Sequence, residues 1–140
     1  VVLGMTARLD TLQAAVLLAK LSVFRDELDR RAAIAARYTA ALAGRVQVPV
    51  VPRGSRSAFA LYTIRVPHRD DVRARLDAAG IGTGLFYRLA LHQHPAFKAF
   101  AGRALPVSEQ LADEVLSLPV HPDLTDAEVD RVIAAVIAAI

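Results

Sequence analysis

Gly4-Met5-Thr6-Ala7-Arg8-Leu9-Asp10-Thr11-Leu12-Gln13-Ala14-Ala15 reads as a short loop running straight into a helix, with polar groups gathered at the junction. Beyond it, Leu17, Leu21, Phe24, Leu28, Ala35, Tyr38 and Leu42 recur at alternating steps of three and four, with Arg31 in the remaining slot. That spacing predicts one long amphipathic helix over Asp10 to Leu42, its apolar residues on a single stripe. Asp26 with Arg30 and Glu27 with Arg31 stand at the spacing of i,i+4 ion pairs on the wet side. Gly44 is a stop signal. A helix this long exceeds what a small domain needs, so it is expected to bridge two domains or lie across a subunit boundary.

Working outward, Pro49 to Arg56 is a connector rich in Pro, Gly and Arg. Ala58, Ala60, Tyr62, Ile64 and Val66 alternate, the signature of a strand with one buried face. Asp70 to Ala79 reads as a short helix with Asp70 as cap and Gly80 as stop. Ile81 to Tyr87 reads as a second strand, entered through Gly80, Gly82 and Gly84. Pro95 to Phe100 allows a helical turn or two at most. Ser108 is expected to cap a helix ending near Leu116, followed by a short strand over Ser117 to Val120. Thr125 with Glu128 forms a capping box. The stripe Val129, Val132, Ile133, Val136, Ile137 and Ile140 follows it. Helix and strand alternate throughout, which predicts helices packed on a sheet.

Composition narrows the function classes. A chain of 140 residues, 54% of them hydrophobic, can bury one core as one domain. Cysteine is absent, so neither a disulfide framework nor a thiolate metal site is available. The net charge of +3 comes from fifteen arginines and two lysines spread along the chain, with no basic face of the kind nucleic acid requires. Val-Val-Leu at the start lacks the features of a signal peptide, and the apolar run from Val132 to Ile140 is too short to span a bilayer. The expectation is a cytoplasmic domain with neither nucleic-acid nor membrane partner.

Four histidines are present. His92 and His94 would share a strand face, but no third ligand completes a metal shell, and His68 and His121 each adjoin a proline. No metal site is expected. Neither a Ser/His/Asp nor a Cys/His set can be argued from the residues alone.

Three blocks in register carry a resemblance. The opening stretch is similar to the Gly-x-Asn-Ser-Arg-Met/Leu-Asp and Gln-Ala-Ala helix of the DegT/DnrJ/StrS sugar aminotransferases, which use pyridoxal phosphate (PLP). Gly80-Ile81-Gly82-Thr83-Gly84-Leu85-Phe86-Tyr87 and Leu91-His92-Gln93-His94-Pro95-Ala96-Phe97 resemble that family's Gly-Ile-x-Thr-x-x-His-Tyr-Pro and Leu-His-x-Gln-Pro-Ala-Tyr/Phe. Ser108-Glu109 through Ala112, Glu114-Val115-Leu116-Ser117-Leu118-Pro119 resembles its Ser-Glu-x-x-Ala-x-Glu-x-Leu-Ser-Leu-Pro block. The likeness runs from Gly4 to about Val136. No single motif is specific; their order and spacing are.

The resemblance implies the C-terminal part of a fold-type-I PLP-dependent enzyme. Its class is α/β, with a long N-terminal helix and a small, mostly antiparallel sheet covered by helices. Residues 1–44 would be the loop and bridging helix that end the large domain, and residues 45–140 the small C-terminal domain. Such enzymes are dimers with sites at the subunit boundary, so the partner is a second copy or the missing N-terminal cofactor domain. The implied reaction moves an amino group from glutamate or glutamine to a keto-sugar nucleotide or keto-cyclitol. By position, Thr6 stands where the family's Asn bonds the partner's cofactor phosphate, and Arg8 matches an Arg near the cofactor or substrate phosphates. Tyr87 and His92 match residues lining the sugar-nucleotide pocket. Arg offers the planar donor fork that phosphate favours.

Plainer roles stay open for the same residues. Arg8 can pair with Asp10 or Asp26 at a helix start, and Thr6 can be a loop hydroxyl. Tyr87 can be core, and His92 can bond a loop carbonyl. The departures from the pattern are Thr6 for Asn, Phe86 for His, Arg88 for Pro, His94 for Gln and Ala60 for a strand His. Most fall on the pocket side, which implies a different substrate or a drifting pocket.

Lysine sharpens the expectation. PLP chemistry needs an amine for the Schiff base. Lys20 and Lys98 are the two lysines, and neither has the family's context. No catalytic residue is therefore assigned, and the chain alone is expected not to transaminate. A truncated reading frame, one half of a split enzyme and a non-catalytic dimerisation or regulatory remnant all fit that expectation.

Overall fold

Asp10 starts the first helix. Its backbone is extended and its carboxylate accepts the Gln13 N–H at 2.8 Å, which satisfies a donor that the first turn leaves free. The computed structural model, which describes residues 9–100 and 102–140, then runs α1 (Thr11–Leu21), α2 (Phe24–Leu42), β1 (Tyr62–Arg65), α3 (Arg69–Ala78), two 3-10 turns (Leu91–Gln93 and Pro95–Phe100), α4 (Pro106–Glu114), β2 (Val115–Leu118) and α5 (Asp126–Ala139).

The single helix expected over Asp10 to Leu42 is two. The Ser22 hydroxyl bonds back to Ala19 O at 2.8 Å, and Val23 N–H closes on Lys20 O, so the chain turns before α2 begins. A serine that competes for its own helix carbonyls breaks a helix more readily than its apolar spacing reveals. The stripe breaks with it. Leu17, Leu21 and Phe24 are exposed, Leu28 is half-buried, and only Ala35, Tyr38 and Leu42, joined by Ile34, enter the core.

β1 and β2 pair antiparallel, Tyr62 opposite Leu118 and Ile64 opposite Leu116. All four side chains are buried. Each strand gains one further bridge on its outer edge, Gln47 to Arg65 and Gly84 to Ser117. The strand expected over Ala58 to Val66 is thus shorter, and Ala58 and Ala60 are exposed. The strand expected over Ile81 to Tyr87 is reduced to the bridge at Gly84, because glycines supply no side chain to pack along a ladder. The last strand starts at Val115 rather than Ser117.

Helices α2, α3 and α5 cover this sheet around one core that includes Tyr38, Tyr62, Ile64, Leu76, Leu116, Val129 and Val136. Tyr38 and Tyr62 meet edge to face at 5.2 Å, a favoured aromatic geometry. Tyr38 Oη donates to Pro119 O at 2.8 Å, and burial pushes its pKa up to about 12. α5 begins at the expected capping box, Thr125 and Glu128 bonding each other's backbone N–H. It buries Val129, Val132 and Val136, whereas Ile133 and Ile137 are half-buried and Ile140 is exposed.

α3 starts one residue before the expected cap: Arg69 is its first residue and Asp70 lies in its first turn. Its end is as expected. Gly80, at φ +72°, donates to Asp77 O, and Ile81 N–H returns to Leu76 O at 2.9 Å, with both Ile81 and Leu76 buried. That is the Schellman closure, which needs a residue tolerant of the left-handed region. α4 begins at Pro106, where the missing N–H costs nothing, so Ser108 sits inside the helix rather than capping it.

Three arginines of α2 join it to the segment around α5. Arg30 donates to Leu124 O and Asp126, Arg31 to Val120 O at 2.8 Å, and Arg37 to Asp126 and Asp130. The expected pairs Asp26–Arg30 and Glu27–Arg31 give way to these, because loop carbonyls turned away from water require donors.

Candidate functional site

The segment from Gly84 to Glu109 carries the residues singled out for substrate. Its entry is fixed by the two backbone bonds between Gly84 and Ser117, at 2.9 and 2.8 Å, which hold it along the outer edge of β2. A Cβ at Gly84 would run into the Phe86 ring, so glycine lets Phe86 lie close over the strand. Tyr87 is 76% exposed. That removes its core role: its ring stands beside Phe86, edge to face at 6.0 Å, in contact with solvent.

His92 is held differently. Its side chain is 16% exposed and Nε2 lies 2.9 Å from Glu109 Oε1. The loop carbonyl considered for it is replaced by a carboxylate. The 3-10 turn that presents it is closed by Gln93 N–H to Ala90 O at 2.9 Å, and by Ala90 N–H to the Gln93 side chain at 3.2 Å. Glu109 is held from two ends. Its N–H bonds Leu105 O at 3.0 Å, and its Oε1 accepts Leu105 N–H at 2.8 Å. That backbone N–H, and then the His92 ring, hold the Glu109 carboxyl below the usual carboxylate range.

Glu109 is the residue that reading the sequence missed as part of this site. The available signal was a carboxylate just inside a helix that opens with Pro106, a position suited to capping backwards. Tyr87 and His92 share the segment, but one is open to solvent and the other enclosed. The grooves beside α3 contain Arg69, Asp70, Asp71 and Glu114, or Arg73, Asp77 and Arg88, and neither Tyr87 nor His92 lines them. Thr6 and Arg8 lie outside the described residues. Among the described residues no group of three His, Cys, Asp or Glu side chains is placed to hold a metal ion. No helix among them is long and apolar enough to cross a membrane.

PLP requires a lysine amine in an enclosed site with a phosphate cradle. Lys20 is exposed on α1, and Lys98 falls in the second 3-10 turn. The described residues do not fit the cofactor by themselves.

A DegT DnrJ EryC1 StrS aminotransferase from Brucella abortus superposes with a TM-score of 0.88 at 45% identity, over 99% of this chain and 38% of its own. The sequence pattern of the DegT/DnrJ/EryC1/StrS aminotransferase family matches residues 1–137, and the chain belongs to that family. It is 40% identical to the UDP-2-acetamido-2-deoxy-3-oxo-D-glucuronate aminotransferase of Pseudomonas aeruginosa over 133 residues, 94% of this chain and 37% of that protein. It is also 40% identical to the dTDP-3-amino-3,4,6-trideoxy-alpha-D-glucose transaminase of Streptomyces venezuelae, over 95% of this chain and 36% of that protein. The chain thus spans little more than a third of the length of the curated relatives it matches.

Proposed function

We propose that this chain serves as the C-terminal portion of a cytoplasmic, PLP-dependent aminotransferase that delivers an amino group from glutamate or glutamine to a keto-sugar nucleotide or a related keto-cyclitol. The observation that carries this reading is the family match over residues 1–137, together with two relatives whose names specify amino-sugar nucleotides. Residues 1–44 act as the loop and helix reaching the large domain, and residues 45–140 as the small domain. The cofactor, when bound, supplies the electron sink for moving the amino group. Its lysine comes from a cofactor-binding part of the enzyme, and the assembled unit is a dimer. Thr6 and Arg8 contribute to anion recognition at the cofactor. Tyr87 supplies an exposed ring face to the sugar nucleotide, and His92 a fixed hydrogen-bonding edge.

The test has two arms. The chain alone, incubated with PLP and reduced with borohydride, is expected to show no stoichiometric labelling of Lys20 or Lys98. Site-specific labelling of either would overturn the assignment of the Schiff-base lysine to another part. The chain is also joined to the lysine-bearing part of the Pseudomonas aeruginosa relative, and glutamate- or glutamine-driven amination of UDP- and dTDP-linked keto sugars is measured. Conversion supports the reading. A folded, PLP-loaded chimera that converts none of them overturns it and favours a non-catalytic dimerisation or regulatory role.

A further inference from the structure

His92 and Glu109 lie seventeen residues apart on different elements, yet the ring nitrogen and the carboxylate meet at 2.9 Å. The same oxygen, Oε1, accepts the Leu105 N–H at 2.8 Å. An ionised carboxylate is an acceptor only, so the hydrogen in the contact with His92 must sit on the imidazole. In the neutral ring one nitrogen carries hydrogen and the other a lone pair. A proton on Nε2 therefore leaves Nδ1 as the acceptor. Among the described residues, no hydrogen bond is formed by His92 Nδ1.

We infer that Glu109 is a positioning residue: it locks His92 in the Nε2–H tautomer and so makes Nδ1 the acceptor offered to a hydroxyl of the sugar substrate. The inference rests on the reading of His92 as a pocket residue in the proposed function. Two features make the contact a built one. The Glu109 carboxylate also accepts the Leu105 N–H at 2.8 Å at the start of α4, a second anchor on the same oxygen. The His92 side chain is only 16% exposed, so its ring is held by the surrounding segment while the Glu109 carboxylate, one-third exposed, reaches it from α4. A glutamine at 109 would keep the acceptor for Leu105 but present the ring with either an oxygen or an NH2 group, and the choice of tautomer would be lost.

The test uses the chain itself, labelled with 15N, at about pH 8.5, where imidazoles of ordinary pKa are neutral. Long-range 1H–15N correlations report the tautomer of each histidine. His92 is expected to be wholly Nε2–H, and Glu109→Gln is expected to yield a mixture while backbone shifts of the β1–β2 pair stay in place. A mixed or Nδ1–H His92 in the parent, or an unchanged tautomer in Glu109→Gln, overturns the inference. The second readout is the amination assay of the chimera. There Glu109→Gln is expected to raise KM for the keto-sugar nucleotide about 2- to 10-fold, the loss of one neutral hydrogen bond, with kcat nearly constant. If the tautomer moves and KM does not, the positioning role of Glu109 stands, and the assignment of His92 to the substrate pocket is what fails. If the chimera is inactive, the tautomer alone decides.

Discussion

Replacing Leu12 and Leu18 together by Glu should abolish self-association of this chain and leave its folding stability unchanged. Helix α1 contributes no buried residue. Leu12 and Val16 fall on one side of it, and Leu17, Leu18 and Leu21 on the other. Gln13 and Lys20 alone mark a polar edge between them. A helix that is apolar nearly all round is normally covered. Here the five large side chains are between 51% and 82% exposed. Complete burial of each is worth about 1.5–3 kcal/mol relative to exposure, so covering what is now open contributes about 5–10 kcal/mol. Association costs about 4–15 kcal/mol in lost freedom and ordering. Two copies cover α1 together, about 10–20 kcal/mol in all, and the middle of that range exceeds the association cost by roughly 5–6 kcal/mol, a dissociation constant of about 100 µM. Sedimentation velocity from about 10 to 100 µM should therefore show the parent shifting to dimers or larger species. The double variant should remain monomeric. Leu and Glu have similar helix propensities and the core is untouched, so the urea midpoint should correspond to a change below about 0.5 kcal/mol. A parent that is a clean monomer at about 100 µM refutes the reasoning, as does a variant destabilised by more than about 1 kcal/mol, since either result means α1 is already covered.

In the active chimera, Arg8→Ala should weaken cofactor or sugar-nucleotide binding by about 2–5 kcal/mol, with partial recovery in Arg8→Lys because the guanidinium fork is lost. Reduced melting temperature with unchanged dissociation constants would make Arg8 a structural residue. Arg69→Ala should cost about 1–3 kcal/mol by urea denaturation, since its buried guanidinium donates to Ala112 O and Val115 O and those carbonyls lose that donor, while Asp70→Asn should change stability by less than about 1 kcal/mol because that carboxylate is exposed. Melting temperature should fall on acidification. Glu109 is held low by the Leu105 N–H, Glu114 by Arg65, Asp126 by Arg30 and Glu128 by the Thr125 N–H. Folded-state values below the unfolded ones stabilise above about pH 4, and that contribution is lost as pH falls through the usual carboxylate range toward the folded values. Asp126→Asn should flatten the acid limb, and a melting temperature level down to about pH 3 would contradict the assignment.

What could be read from the sequence follows the range of the interactions. The Thr125–Glu128 box and the Gly80 stop were legible because each is completed within about one helical turn, by residues whose chemistry suits few other places. The break at Ser22 was not, because apolar spacing continues across it and the turn is closed by the serine's bond to Ala19 O and by Val23 N–H on Lys20 O. Arg30 and Arg31 had acidic residues at helix-pair spacing, yet their partners lie 28 to 96 residues away, on segments that only the folded chain brings near. The same rule governs the site. Family pattern singled out Tyr87 and His92, but nothing in their spacing revealed that one would be open and the other enclosed. Glu109 was hidden in a block that reads as helix packing.

The apolar residues of α1 show why a pattern can be correctly seen and wrongly placed. A stripe drawn through Leu17, Leu21 and Phe24 assigns them to the same core as Tyr38 and Leu42. The core instead closes with α2, α3 and α5 against the sheet, and its buried residues begin at Ile34. Composition argues from the other side. Between Leu12 and Leu21 only Gln13 and Lys20 are polar, too few to give a surface helix a wet face. A core already closed and a helix still apolar all round are together best explained if α1 serves a contact outside this core. The double substitution at Leu12 and Leu18 probes that contact without disturbing the core that the rest of the chain completes.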